Sequence, residues 1–146
     1  DSNIAERAPW LLLGAKSLSY AVNMAAIREA ERRGAAEVVF TTSSGSVLEG
    51  PTSTLILARG RTLTTPPAEL GILPGTTQAA LFRAAEREGW TVEVRPIAVE
   101  ELYPADGVFL VSSVRKITRV HTLDGKTLPD SAELHARLAE LYESEY

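Results

Sequence analysis

Two short hairpins that follow one another near the middle of the chain constrain its fold more than any other feature. The first would pair Glu37–Thr42 with Val47–Glu49 across a Ser-Ser-Gly-Ser turn. The second would pair Ser53–Ala58 with Arg61–Thr64 across an Arg-Gly turn. Turns this short join antiparallel strands, whereas parallel neighbours need a crossover of about a dozen residues or more. The pattern therefore predicts a largely antiparallel sheet in this half of the chain.

Helices are predicted on both sides of these hairpins. Apolar residues recur at helical spacing from Ser19, and Gly34 ends that helix after two arginines that suit a helix C-terminus. The apolar face of this helix is wide, which predicts burial on more than one side. Together the elements indicate the α/β class with a mixed, largely antiparallel sheet. A second helix is predicted from Leu73–Thr77 to Gly89, with Ala80, Leu81, Ala84 and Ala85 on one face. A third helix is predicted from Ser131, with an Asp130–Glu133 capping box and with Leu134, Leu138 and Leu141 in register. The remaining predicted elements are strands at Trp10–Leu13, Trp90–Pro96 and Gly107–Val111, a helical turn at Val99–Leu102, and a last hairpin through His121 to Gly125.

Composition argues against several classes of function. The 146 residues are 45% hydrophobic and 23% charged, as in a soluble globular domain, and no apolar run approaches the roughly 20 residues that cross a bilayer. The net charge of −4, without a basic tract, argues against a nucleic-acid partner. There is no cysteine, and His121 and His135 are not spaced as a metal pair, so both are expected to be ordinary surface or edge residues and no metal site is predicted. The polar start does not resemble a signal peptide, which predicts a cytoplasmic protein.

Lys16 lies between the short apolar run Leu11–Leu13 and the opening of the first helix. The chain has only three lysines and twelve arginines, so its positive charge is usually supplied by arginine. A lysine at a junction that looks buried is therefore a candidate for a chemical role. Burial lowers the charge of an amine and makes it a nucleophile, as in lysines that form Schiff bases. A lysine at a helix start whose amine reaches water is the alternative.

Glu49 ends an apolar strand and is followed by Gly50–Pro51. Because glycine and proline do not continue a regular ladder, we expect its carboxylate to point into a cleft. A surface charge at the end of a hairpin is the simpler alternative.

Two segments carry groups suited to binding an anion. Gly75, Thr76 and Thr77 stand at the start of a predicted helix, where free N–H groups, hydroxyls and the helix dipole favour negative charge. Ser112–Ser113 follows a predicted buried strand, at the kind of position where α/β sheets bind ligands. A plain helix cap and an ordinary turn are the alternatives for these two segments.

An amine, a carboxylate and two anion-binding segments together indicate a cofactor more specifically than any one of them does. Pyridoxal 5′-phosphate requires an amine for the imine, a carboxylate for the pyridine nitrogen and loops for the phosphate. The order of the segments resembles the class IV aminotransferases, the fold-type IV pyridoxal-phosphate family, which includes branched-chain aminotransferases, D-amino-acid aminotransferases and 4-amino-4-deoxychorismate lyase. The segments that carry the resemblance are Lys16–Ser19, Val47–Thr54, Leu63–Pro67, Ile72–Thr77 and, more weakly, Leu110–Val120.

The resemblance implies a fold, a cofactor and a role for each matching residue. The fold would be a sheet curled into a barrel-like domain with flanking helices, and the assembly a homodimer that acts on a small amino substrate. Lys16 would be the catalytic Schiff-base lysine. The other implied residues are Glu49 at the pyridine nitrogen, Gly75, Thr76, Thr77 and Ser113 at the phosphate, and the Ser113–Val114 backbone at the substrate carboxylate.

Three positions depart from the branched-chain members. Ser19 stands where an Asn is common, Tyr20 falls one position short of a tyrosine used near the cofactor ring, and Thr54 stands where an Asn is frequent. These departures weaken an assignment to the branched-chain subgroup and so favour the 4-amino-4-deoxychorismate lyase-like branch, whose products would be 4-aminobenzoate and pyruvate. A class IV aminotransferase acting on branched-chain or D-amino acids is the alternative.

Family members carry an N-terminal domain before the lysine. By this comparison residues 1–9 would be a linker, residues 10–146 the cofactor-binding C-terminal domain, and the N-terminal domain would be missing. Two other hypotheses stay open: a truncated, non-catalytic binding module, and a plain structural domain in which Lys16 has no chemical role.

Overall fold

The computed structural model describes residues 20–50, 53–67 and 76–145. The predicted strand at Trp10–Leu13 lies outside this part of the chain. The elements are α1 (Tyr20–Arg32), β1 (Thr54–Arg59), β2 (Thr62–Thr65), α2 (Thr76–Arg87), β3 (Thr91–Val94), a 3₁₀ helix (Val99–Leu102), β4 (Gly107–Ser112), β5 (Lys116–Arg119), β6 (Thr122–Leu123), β7 (Lys126–Thr127) and α3 (Ala132–Glu143).

Five strands form one sheet in the order β3-β2-β1-β4-β5, and β6 and β7 form a separate hairpin. β1 is antiparallel to β2 and to β4, and β4 is antiparallel to β5, which confirms the largely antiparallel sheet. β3 instead runs parallel to β2, because α2 supplies the long crossover that a parallel pair needs. Within the described residues β3 and β5 are the edges of this sheet, so closure into a barrel is not seen.

The first predicted hairpin is present as paired backbone rather than as regular strands. The Phe40 N–H donates to the Glu49 carbonyl and the Leu48 N–H to the Phe40 carbonyl, both at 2.8 Å. The second arm also bonds elsewhere, since the Val47 N–H donates to the Ile97 carbonyl at 2.7 Å. Because the arm divides its hydrogen bonds between two neighbours, the ladder is reduced to an isolated bridge at Thr41 and Val47.

Alternation along the central strands divides the core between the two faces of the sheet. Ile56 and Phe109 belong to one cluster, with α2 and α3 packed over it. Leu55 and Leu57 belong to a second cluster on the opposite face, which includes Val47 from the first hairpin. β1 is therefore buried on both faces and is the centre of the domain.

The helix ends follow the sequence closely. Gly34 has φ +78°, and the Ala35 N–H donates to the Ala30 carbonyl at 2.8 Å, which closes α1 as predicted. On α2 the predicted apolar face is buried in full, and on α3 Leu138 is fully buried between half-buried Leu134 and Leu141. None of the helices in the described segments combines the length and the apolar character needed to cross a membrane.

Two expectations about side chains are wrong. In α1, Ala25 is exposed while Met24 and Ile27 are only half-buried, so the described residues do not enclose the wide apolar face. The N-terminus of α3 is capped by Asp130 alone, whose Oδ1 accepts from the Ala132 N–H at 3.0 Å.

His135 is half-buried at the edge of the core, which the prediction of a surface or edge residue allows. Its Nε2 lies 2.7 Å from the Ile117 carbonyl oxygen and its ring stacks on Phe109. His121 is exposed, as predicted.

Candidate functional site

One end of the sheet collects the segments that carry the candidate residues. Thr54 at the start of β1 pairs with Val111 near the end of β4, and Ser112 pairs with Lys116 across the following turn. The second arm of the first hairpin (Val47–Glu49, the Glu49 arm) leads into β1, and the Ser113–Arg115 turn follows β4. Both segments therefore lie at the same end of the sheet.

The N-terminus of α2 lies at this end as well. Thr65 and Val94 are paired at the ends of the parallel strands β2 and β3, and Thr62 and Thr91 at their starts. Because α2 leaves the end of β2 and must return the chain to the start of β3, it runs antiparallel to both strands. Thr76 and Thr77, the first two residues of α2, therefore lie at the same end of the sheet as Ser113.

The Glu49 arm is held by its backbone. Glu49 is half-buried, and its carbonyl accepts from the Phe40 N–H at 2.8 Å. The next residue, Gly50, is buried and its N–H donates to the Ser53 carbonyl at 3.0 Å. A β-carbon on Gly50 would lie 2.4 Å from Ser53 Oγ and 3.2 Å from the Val38 carbonyl oxygen, so this position has room for glycine alone unless its neighbours move.

The candidate phosphate residues differ in exposure. Thr77 is buried with 4% of its surface exposed, whereas Thr76 and Ser113 are exposed. Val114 is 87% exposed at the tip of the β4–β5 turn, which leaves the backbone of this turn accessible. Lys16 and Gly75 lie outside the described residues.

The groups at this end fit a phosphate-bearing cofactor. The first N–H groups of any α-helix have no intrahelical partner, and the first turn of α2 contains no acidic side chain that would occupy them. Ser53 Oγ is buried with no hydrogen-bond partner among the described residues, although buried hydroxyls are normally paired. A half-buried carboxylate, exposed hydroxyls and an unused buried hydroxyl are the donor and acceptor set that a pyridoxal phosphate can satisfy.

An ion-pair cluster borders the same end. Arg95, which follows β3, bonds Glu101 through Nη2 at 2.9 Å and Glu93 through Nε at 3.3 Å. The hydrogen bond from Arg95, together with one from the Ala98 N–H, lowers the pKa of Glu101 below its ordinary value. Among the described residues no group of three or more His, Cys, Asp or Glu side chains is placed to hold a metal ion.

Sequence reasoning missed two features of this end. One is the unpaired hydroxyl of Ser53, which looked like an ordinary strand residue. The other is an ion pair between Arg115 Nη2 and Glu37 Oε1. No spacing in the sequence links Glu37 to Arg115, because the contact joins the first hairpin to the β4–β5 turn only through the tertiary fold.

Comparison with known proteins identifies the family. The model of the family described as amino-transferase class IV matches residues 1–123, and the chain belongs to this family. Class IV aminotransferases use pyridoxal 5′-phosphate. The family prediction made from the sequence motifs is therefore confirmed.

Three relatives show how the chain compares. The bifunctional aminodeoxychorismate lyase / D-amino acid transaminase of Mycobacterium tuberculosis is 46% identical over 141 residues, which are 90% of this chain and 49% of that protein. A hypothetical aminotransferase from M. tuberculosis, solved in its PLP-bound form, superposes with a TM-score of 0.91 at 44% identity over 99% of this chain and 50% of that one. The branched-chain-amino-acid aminotransferase of Escherichia coli (strain K12) is 34% identical over 66% of this chain and 31% of that protein. The chain thus spans about half the length, or less, of these relatives.

Proposed function

We propose that this chain is the cofactor-binding part of a pyridoxal-phosphate enzyme that acts as an aminodeoxychorismate lyase, converting 4-amino-4-deoxychorismate to 4-aminobenzoate and pyruvate. The observation that carries the proposal is that Glu49, Thr76, Thr77 and Ser113 lie at one end of the sheet. A 46% identical relative named for this lyase activity supports the choice of substrate.

Each residue of the proposed site has a separate task. Pyridoxal phosphate, when bound, would supply an electron-withdrawing ring that stabilises negative charge at the substrate α-carbon. Lys16 would hold the cofactor through its amine, and the same amine would act as the general base toward the substrate α-proton. Glu49 keeps a proton on the pyridine nitrogen.

The phosphate is held by Gly75, by the N–H groups of Thr76 and Thr77 at the start of α2, and by the hydroxyl of Ser113. The accessible Ser113–Val114 backbone receives the substrate carboxylate. This division of tasks places phosphate and carboxylate recognition on backbone N–H groups and hydroxyls, and leaves proton transfer to Lys16.

Transamination is the second candidate activity. The same first steps serve both reactions, and the 46% identical relative is named for both the lyase and D-amino acid transamination. Branched-chain transamination is less well supported, because Ser19, Tyr20 and Thr54 depart from that subgroup and the branched-chain relative is only 34% identical.

The wider setting is proposed on the same resemblance. Residues 1–9 act as a linker and residues 10–146 as the cofactor-binding domain of a cytoplasmic homodimer that supplies 4-aminobenzoate for folate biosynthesis. The alternative from another class is a non-catalytic module that binds phosphate-bearing ligands through the same end of the sheet.

The test is covalent trapping on the full-length protein that contains this chain. Protein incubated with pyridoxal 5′-phosphate is reduced with borohydride, and the site of labelling is mapped by peptide mass. One stable adduct at Lys16 supports the proposal, with Lys116 and Lys126 as internal controls. No adduct, or equal labelling of all three lysines, overturns it.

Substrate turnover then separates the candidate activities. Formation of 4-aminobenzoate and pyruvate from 4-amino-4-deoxychorismate supports the lyase, whereas turnover confined to D-alanine or L-leucine with a 2-oxo acid assigns a transaminase. An adduct at Lys16 with no turnover of any of them supports the binding module.

A further inference from the structure

We infer that Glu37 is a positioning residue, which through Arg115 holds the Ser113–Val114 turn in place relative to the arm that carries Glu49. The inference rests on the proposed function, because it gives the turn its role in phosphate and carboxylate binding. Neither Glu37 nor Arg115 belongs to the residues expected to touch the cofactor.

The turn itself has few internal restraints. The Arg115 N–H donates to Ser112 Oγ at 3.1 Å, which closes the turn at its base. Ser113 and Val114, between these two residues, are exposed and make no side-chain hydrogen bond within the described part of the chain. Among the described residues, the ion pair from Arg115 to Glu37 links the side chains of this turn to the first hairpin.

Glu37 is the ion-pair partner of Arg115. Its side chain is only 18% exposed, against 50% for Arg115, and its buried Oε2 has no hydrogen-bond partner among the described residues. A largely buried carboxylate with one oxygen unsatisfied is costly, so it depends strongly on the arginine that neutralises it. Such a pair adds little net stability, but it restricts where Arg115 can lie.

The backbone next to Glu37 is packed directly against the Glu49 arm. The Val38 carbonyl oxygen would lie 3.2 Å from a β-carbon on Gly50, which leaves no slack between the two segments. The Phe40–Glu49 hydrogen bond ties the same two segments together two residues further along. Arg115, Glu37 and Gly50 thus form a continuous mechanical connection from the turn to the residue that follows Glu49.

This connection sets the distance between two binding groups. Glu49 serves the ring of the cofactor, and Ser113 serves its phosphate at the other end of the same molecule. A misplacement of about 1 Å between groups that act together can lower a reaction rate roughly a hundredfold, so such sites are sensitive to spacing. Breaking the Glu37–Arg115 ion pair is therefore expected to weaken the binding of ligands that contact both ends of the site. The binding of ligands that contact only one end should change little.

The test compares pyridoxal phosphate with pyridoxal, which lacks the phosphate, on the full-length apo-protein. Dissociation constants are measured by absorbance titration for the wild type, Glu37→Gln and Arg115→Gln. The double variant Glu37→Gln with Arg115→Gln removes both charges, so it provides the same comparison without an unpaired buried charge if a single variant is unstable. Glu145→Gln is the matched control, because Glu145 is 13% exposed and bound by Arg83 and Arg87 away from the turn.

We expect the dissociation constant for pyridoxal phosphate to rise about tenfold or more in the Glu37 and Arg115 variants, because a displaced turn loses the hydrogen bond from Ser113 to the charged phosphate. The constant for pyridoxal should stay within about twofold, and Glu145→Gln should change neither. Equal weakening of both ligands, or no change for pyridoxal phosphate, overturns the inference. A wild type that forms no adduct at Lys16 overturns the proposed function itself, so the two failures are distinguishable.

Discussion

A β-carbon on Gly50 would lie 2.4 Å from the buried Oγ of Ser53. Gly50, the residue after Glu49, is therefore packed against the side chain of Ser53, which immediately precedes the central strand β1. The space between them is too small for a side chain at position 50. This contact fixes the direction in which the chain leaves Glu49, and it makes Gly50 part of the support for the candidate site.

Gly50→Ala is expected to destabilise the protein by about 1–3 kcal/mol, the usual cost of forcing an extra methyl group into a packed position. Urea unfolding measures the loss. Adding Ser53→Ala removes the atom in closest contact and should recover part of the stability, since Ser53 Cβ is at an ordinary 3.7 Å. Strictly additive effects of the two substitutions would show that the contact does not determine the cost.

Ser53→Ala alone is expected to be neutral or to stabilise the cofactor-free protein by up to about 1 kcal/mol, because it removes a buried hydroxyl without a partner. Thr65→Val is the contrasting variant, since Thr65 Oγ1 donates to the buried Leu55 carbonyl at 2.9 Å. That substitution should cost about 1 kcal/mol. The comparison is made by chemical unfolding, and a loss at Ser53 as large as at Thr65 would contradict the assignment.

His135→Ala is expected to cost about 1–3 kcal/mol, because it removes the partner of the Ile117 carbonyl oxygen and the ring stacked on Phe109. Thermal and urea unfolding report the change. His121→Ala is the control: this histidine is exposed, and its loss should stay within about 0.5 kcal/mol. Similar values for the two variants would argue against a packed role for His135.

The Arg95–Glu101 pair predicts an acid-sensitive contribution to stability. The pKa of Glu101 is lowered in the folded protein by the hydrogen bond from Arg95, so its contribution is complete above the ordinary value of 4.5 and is lost as the pH falls through the lowered pKa. Glu101→Gln should therefore be less stable than the wild type at neutral pH, and the difference should shrink in acid.

The measurement for this pair is urea unfolding between pH 7 and pH 3, a range that spans the titration of carboxyl groups. Glu100→Gln is the matched control, because Glu100 is the exposed neighbour and makes no ion pair among the described residues. A constant difference between Glu101→Gln and the wild type over the whole range would contradict the proposed cause.

Most local elements could be predicted from the sequence, because they depend on neighbouring residues. The Arg59–Gly60 turn, the end of α1 at Gly34 and the apolar face of α2 each follow from backbone preference or helical spacing, and each is observed. The motifs in the sequence suggested the candidate residues of the site, and their roles remain predictions. The placement of Glu49, Thr76, Thr77 and Ser113 at one end of the sheet depends on how the strands and α2 connect.

What the sequence by itself determined is therefore the set of turns, helix ends and apolar faces, together with the family to which the chain belongs. Only the tertiary structure decided that β3 pairs parallel to β2, that His135 stacks on Phe109 and that Glu37 forms an ion pair with Arg115. These contacts join segments that are distant along the chain. No local spacing encodes them, because each depends on how whole strands and helices pack.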